Sequence, residues 1–126
     1  MGIKVELKNE EWKVYLATLN SKAYPMFRMG WVADFADPDN FMGLMLSYSE
    51  NNRGRWKNAE YDKLVETAVT IGDSAERKKL YSKAQKILLE DEAAAIPIYS
   101  YVNQNLVAKR VKNFPLNAMG KYKFKK

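Results

Sequence analysis

From position 24 to 32 the chain reads Tyr24-Pro25-Met26-Phe27-Arg28-Met29-Gly30-Trp31-Val32, an almost unbroken apolar run. A run of this kind suits a strand covered on both faces, which requires layers above and below it. Ahead of it, Ile3, Val5 and Leu7 alternate with Lys4, Glu6 and Lys8, the period of a strand with one buried face. Between the two, Trp12, Tyr15, Leu16 and Leu19 fall on one helical stripe, with Glu10 and Glu11 at its positive end. Strand, helix and buried strand at this spacing predict a βαβ unit with parallel strands and a right-handed crossover.

The second strand runs out into Ala33-Asp34-Phe35-Ala36-Asp37-Pro38-Asp39-Asn40, a loop rich in carboxylates. Pro38 can open a short helix through Phe41, Met42, Leu44, Met45 and Leu46, with Asp37 as its cap. Positions 47–57 read as a polar surface loop. Asn58 then caps a helix with the stripe Tyr61, Leu64, Val65, Ala68 and Ile71, which Gly72 stops. Asp73, with Glu76 three residues on, starts another whose stripe is Leu80, Ala84, Ile87 and Leu88, so the two helices form an αα-hairpin. Ile96-Pro97-Ile98-Tyr99-Ser100-Tyr101-Val102 is β-prone, with Pro97 at a strand start or edge, and a short strand follows at Leu106-Val107-Ala108.

Composition narrows the chemistry. With 126 residues, 47% of them apolar, and no long Gly, Ser or Pro tract, the sequence reads as one ordinary globular domain or part of one. The absence of Cys and His excludes disulfides, thiolate nucleophiles, an imidazole base and imidazole-ligated metals. Of the net charge of +6, residues 1–108 carry −1 and residues 109–126 carry +7, through Lys109, Arg110, Lys112, Lys121, Lys123, Lys125 and Lys126. Cations gathered in one terminal segment do not make a phosphate-tracking groove, which argues against nucleic acid as a partner. No apolar run reaches the length of a membrane span. Met1-Gly2-Ile3-Lys4-Val5-Glu6 lacks the features of a signal peptide, so for an exported protein the address is expected outside this chain.

Arg28 to Asp34 is the informative stretch. Ligands of open parallel sheets bind beyond the carboxyl ends of the strands, and Asp34 lies just past the most buried strand candidate. An unpaired carboxylate there is poised to take a ligand ammonium, whereas the plainer reading is a turn cap. Gly30 admits a close backbone. Trp31 is either an apolar wall or core. Arg28 must find an anion or reach solvent, and Asp34 is one available partner. Asp37 and Asp39 read as helix-start residues, and with Asp34 they lack the spacing of a calcium loop, so neither metal nor cofactor is expected. Tyr99 and Tyr101, at i and i+2, share a face and either present hydroxyls to a ligand or pack.

Several blocks in order carry a resemblance: Gly2-Ile3-Lys4-Val5-Glu6-Leu7, Glu11-Trp12-Lys13-Val14-Tyr15-Leu16, Arg28-Met29-Gly30-Trp31-Val32-Ala33-Asp34-Phe35 with Pro38, Tyr61-Asp62-Lys63-Leu64, and Ile96-Pro97-Ile98-Tyr99 with Val102-Asn103. Together they resemble the C-terminal part of the oligopeptide-binding proteins of ABC importers. The resemblance implies an α/β fold: a C-terminal fragment of a type II periplasmic-binding-protein-like lobe, made of the βαβ unit, the helical hairpin and short terminal strands. Residues 1–110 would belong to the second ligand-binding lobe, and 111–126 would return to the first.

The same resemblance implies an extracytoplasmic, non-enzymatic solute-binding component that encloses a peptide between lobes and delivers it to a membrane permease. In that family the acid matching Asp34 takes the peptide's α-ammonium. Positions matching Gly30 and Val32 offer main-chain bonds, the one matching Trp31 lines the pocket, and those matching Arg28 and Tyr101 face it. Main-chain pairing tolerates many ligand side chains, since every peptide presents the same row of N–H and C=O groups. Leu19 stands where well-known members carry a basic residue, so nothing about the ligand's carboxylate carries over. Half of a clamp is expected to bind peptide weakly and to associate with itself over surface that the other part would cover. Two other classes remain: a small basic adaptor holding anionic partners through the 109–126 tail, and a carboxylate-dependent hydrolase using Asp34 and Asp37.

Overall fold

The computed structural model describes residues 2–21, 24–115, 117, 120 and 122. Its regular structure is helical: α1 (Trp12–Ser21), α2 (Asp39–Met42) continued by a 3₁₀ turn (Gly43–Met45), α3 (Ala59–Thr70) and α4 (Ser74–Lys86), which widens into a π-helical turn (Ile87–Asp91).

The local signals for these helices act as expected. Glu11 accepts from the Lys13 and Val14 N–H groups at 2.8 and 3.2 Å, satisfying donors that α1 leaves free at its start. Asn58 accepts from Tyr61 N–H at 2.9 Å and Asp73 from Glu76 N–H at 2.7 Å, so both hairpin helices carry their expected caps. Asp37 accepts from Asp39 N–H at 2.9 Å ahead of α2. Gly72 plays a smaller part than expected. It does not adopt positive φ, and α3 ends because Ile71 turns extended at φ −91°, ψ 126°.

The core lies in the hairpin. Tyr61, Val65 and Ala68 of α3 pack with Tyr81 and Ala84 of α4, with Leu88, and with Met42 from α2; Leu64, Leu80 and Ile87 lie half-buried against them. The Tyr61 hydroxyl donates to Met42 C=O at 2.6 Å, so the one polar atom of this wholly buried ring is satisfied. Burial pushes the Tyr61 phenol well above its usual pKa. The 47–57 loop is less of a surface loop than its composition implies. Asn52 is buried, donates to Met45, Leu46 and Trp56 C=O, and accepts from Trp56 N–H. Glu92 accepts from Trp56 Nε1 and Asn58 Nδ2, tying the end of the hairpin to its beginning.

The predicted strands differ. Among the described residues none of 3–7, 24–32, 96–102 or 106–108 forms a ladder, so the βαβ unit and the terminal strands are not assembled. The reason is physical: a helix closes its hydrogen bonds within one segment, whereas a strand exists only beside another. Leu7 is 93% exposed and Leu106 fully so, and the first predicted strand presents its apolar side to solvent. Of the 109–126 tail, Lys121, Lys123, Lys125 and Lys126, with Leu116, Met119 and Phe124, lie outside the described residues. Within it, the Phe114 and Tyr122 rings meet at a tilt with centroids 4.9 Å apart. A Cβ on Gly120, at φ +62°, would meet the Asn103 side chain at 3.0 Å, so Gly120 lies against Asn103.

Candidate functional site

The stretch from Arg28 to Asp34 is held by side chains from three directions. Tyr15 of α1 donates from its hydroxyl to Arg28 C=O at 2.9 Å, and Tyr24 donates to the carboxylate of Glu10, just ahead of α1, at 2.6 Å, so the helix and its entry hold the segment that follows. From the C-terminal side, the Arg28 guanidinium donates to the hydroxyls of both Tyr101 and Tyr99, the latter at 3.3 Å. The two rings meet edge-on with centroids 4.7 Å apart, which puts the i, i+2 pair on one side as their spacing implied. Gly30 lies directly under Tyr101, since a Cβ there would sit 3.8 Å from Tyr101 Cε2. From the loop side, Trp31 Nε1 donates to the buried Asn40 Oδ1 at 2.8 Å.

Of the two outcomes open to Arg28, an anion or solvent, the structure shows the second, since the residue is exposed. Among the described residues it forms no ion pair, and its side-chain partners are the two tyrosine hydroxyls. These hydroxyls raise the Arg28 pKa above its ordinary value. In return Tyr101 is held below the usual tyrosine value, first by the Tyr99 hydroxyl and then by the guanidinium.

The structure brings Arg28, Gly30 and Tyr101 together, with Tyr15 and Tyr99 as supports. Trp31 follows, half-exposed and fixed through its indole N–H; Val32 is exposed. Asp34 is exposed, and among the described residues its carboxylate has no hydrogen-bond or ion-pair partner. The neighbouring acid Asp37 is committed. Arg77 forks onto both of its oxygens at 2.8 and 2.9 Å, and this hydrogen bonding holds the Asp37 carboxyl below the usual carboxylate range. A cation arriving at this loop thus finds the Asp34 carboxylate free, while Asp37 is already neutralised. The hydrolase reading loses its second acid on the same ground.

Sequence reasoning missed Asn40 and Arg77. Asn40 stands in the loop motif and reads like any polar helix-start residue. Arg77 lies 40 positions from Asp37, and no local pattern joins them. Leu19 is buried and apolar.

Comparison with known proteins bears on this geometry. Residues 1–53 match the family described as bacterial extracellular solute-binding proteins, family 5, middle. The periplasmic oligopeptide-binding protein OppA of Salmonella typhimurium is 38% identical over 107 residues, covering 85% of this chain and 20% of that protein. The probable deoxycholate-binding periplasmic protein YgiS of Escherichia coli is 35% identical over 126 residues, 100% of this chain and 23% of that one. Among solved structures, the unliganded open form of the periplasmic murein tripeptide-binding protein MppA superposes with a TM-score of 0.67 at 36% identity, over 71% of this chain and 17% of that one. The chain spans about a fifth of the length of the curated relatives it matches. Over most of its length it is similar to the periplasmic peptide-binding proteins, and the resemblance carried by its ordered blocks holds.

Proposed function

We propose that this chain contributes one wall of the ligand site in a solute-binding component of an ABC importer that captures oligopeptides outside the cytoplasm and hands them to a membrane permease. Asp34 receives the peptide's α-ammonium through a charge-assisted hydrogen bond. Gly30 and Val32 pair with the peptide main chain, Trp31 forms an apolar wall, and Arg28 with Tyr101 forms the basic side of the pocket. No residue acts as a catalyst. Residues 1–110 belong to one lobe and 111–126 return toward the other. In the assembled lobe, segments 3–7 and 24–32 become parallel strands flanking α1, once neighbouring strands supply the ladder bonds that both lack.

One observation carries this reading: Asp34 is exposed and unpartnered at the end of a segment whose other polar groups are fixed by neighbours. A free carboxylate selects for a cation, and an exposed Val32 next to a Gly30 without a Cβ suits an extended backbone. Relatives named for peptides and one named for deoxycholate share this part of the chain, and the free acid favours the amine-bearing ligand.

The test is titration calorimetry with a tripeptide and its N-acetyl analogue, on a two-lobed protein carrying these residues. The free amine should bind at least about tenfold tighter, and Asp34→Asn should abolish that difference. Equal affinity for the two ligands in the unmutated protein would exclude Asp34 as the ammonium site. The chain by itself, with a fifth of the relatives' length, should bind peptide weakly, because clamp affinity depends on two walls excluding water.

A further inference from the structure

We propose that Arg77, on α4, is a positioning residue for the ligand site, setting the place of Asp34 through Asp37. The inference rests on the reading of Asp34 given above and adds to it a residue that touches no ligand.

Asp34 has no partner of its own among the described residues, so its position derives from how the loop around it is fastened. Trp31 is tied to Asn40, and Asn40 N–H donates to Asp37 C=O at 3.1 Å. Asp37 closes the turn back on Phe35 C=O at 3.1 Å, while its side chain accepts from Asp39 N–H. These bonds make a small turn that α2 joins to the core through Met42, at some remove from Asp34. Arg77 adds a second anchor, directly at the Asp37 side chain. Nη1 and Nη2 fork onto Asp37, Nε donates to Ala68 C=O at 3.0 Å near the end of α3, and Nη2 also reaches the Tyr81 hydroxyl at 3.2 Å. The guanidinium carbon lies 5.4 Å from the Tyr81 ring centroid. Every guanidinium nitrogen is thus engaged, with one side in the packed hairpin and the other in the Asp34 loop.

A planar fork with four directed bonds transmits orientation, whereas a lysine ammonium at the same position is a point charge that cannot satisfy Asp37 and Ala68 in the same geometry. The device therefore makes a specific demand: a variant that keeps the charge should still lose the positioning.

The test compares the same tripeptide and N-acetyl analogue by calorimetry in the two-lobed protein, for Arg77→Lys, Arg77→Met, Asp34→Asn and the double variant Asp34→Asn with Arg77→Met. Lys79→Met serves as a control on the same helix. Arg77→Lys and Arg77→Met should each reduce the preference for the free amine by about tenfold, Lys79→Met should leave it unchanged, and Arg77→Met should add nothing once Asp34 is removed. A purely structural role would scale both ligands' affinities together and leave their ratio intact, and that result would overturn the proposal. Should Arg77→Met fail to fold, Asp37→Asn carries the same prediction. Loss of preference in the Arg77 variants but not in Asp34→Asn would show that the ammonium site itself is misassigned, a separable failure.

Discussion

The helical hairpin and the segments that flank it answer differently to the same demand, that apolar surface and backbone polar groups both be satisfied. In α3 and α4, Tyr61, Ala68 and Ala84 are wholly buried, and each helix closes its own hydrogen bonds beneath a capping side chain. In 3–7 and 96–107, comparable apolar residues stand in solvent and the backbone has no ladder. The difference is one of range. Helical order is settled within a dozen residues, but a strand's order is settled by whatever lies beside it. The residues proposed to meet the ligand occupy the border between these regimes, in a segment without ladder bonds that is nonetheless pinned by Tyr15, Tyr101, Asn40 and, through Asp37, Arg77.

The contrast is broken most directly by deleting side chains on each side of it. Leu88→Ala should cost about 2–5 kcal/mol in urea unfolding followed by circular dichroism, because it opens a cavity among Tyr61, Val65 and Tyr81. Leu106→Ala, at a fully exposed position, should change the midpoint by no more than about 0.5 kcal/mol. Equal costs would mean that the hairpin is not where the stability resides. Asn52→Ala should follow at about 1–3 kcal/mol, since it leaves buried carbonyls of the 45–56 loop without donors. Tyr61→Phe removes one buried hydrogen bond and keeps the ring, so about 1 kcal/mol is expected.

How much of this could be read from the residues follows the same division. Asn58, Asp73 and Asp37 were legible as caps because a cap acts on N–H groups two or three positions away, while Glu11 was legible only as an acid at the positive end of α1. The stripes of α3 and α4 were legible because periodicity is local, although Tyr81 entered the core unannounced. The strands were legible only as propensity, and propensity is not pairing. At the candidate site, Arg28 and Gly30 stood out in a block that resembles a family and Tyr101 through its spacing from Tyr99 and the same resemblance, while Asn40 and Arg77 did not. Their roles depend on Trp31 and Asp37, and such pairings arise only after the chain has folded.

The smallest expected effect is one of pH. Hydrogen bonding from Arg77 depresses the folded-state pKa of Asp37, so the pair contributes stability above the ordinary carboxylate range. That contribution disappears as the pH falls through the lower folded value. Both side chains are partly exposed and solvent screens them, so the acid limb of the thermal midpoint against pH should be slightly shallower in Asp37→Asn, with no change near neutrality beyond the loss of the pair itself.

The central claim, that Asp34 receives a ligand amine, is tested most directly by a crystal structure of the two-lobed protein with a tripeptide bound. The account predicts the peptide's terminal nitrogen about 2.7–2.9 Å from an Asp34 oxygen, with main-chain bonds to Gly30 and Val32. A peptide whose amino terminus lies elsewhere, with Asp34 still facing solvent, would contradict it.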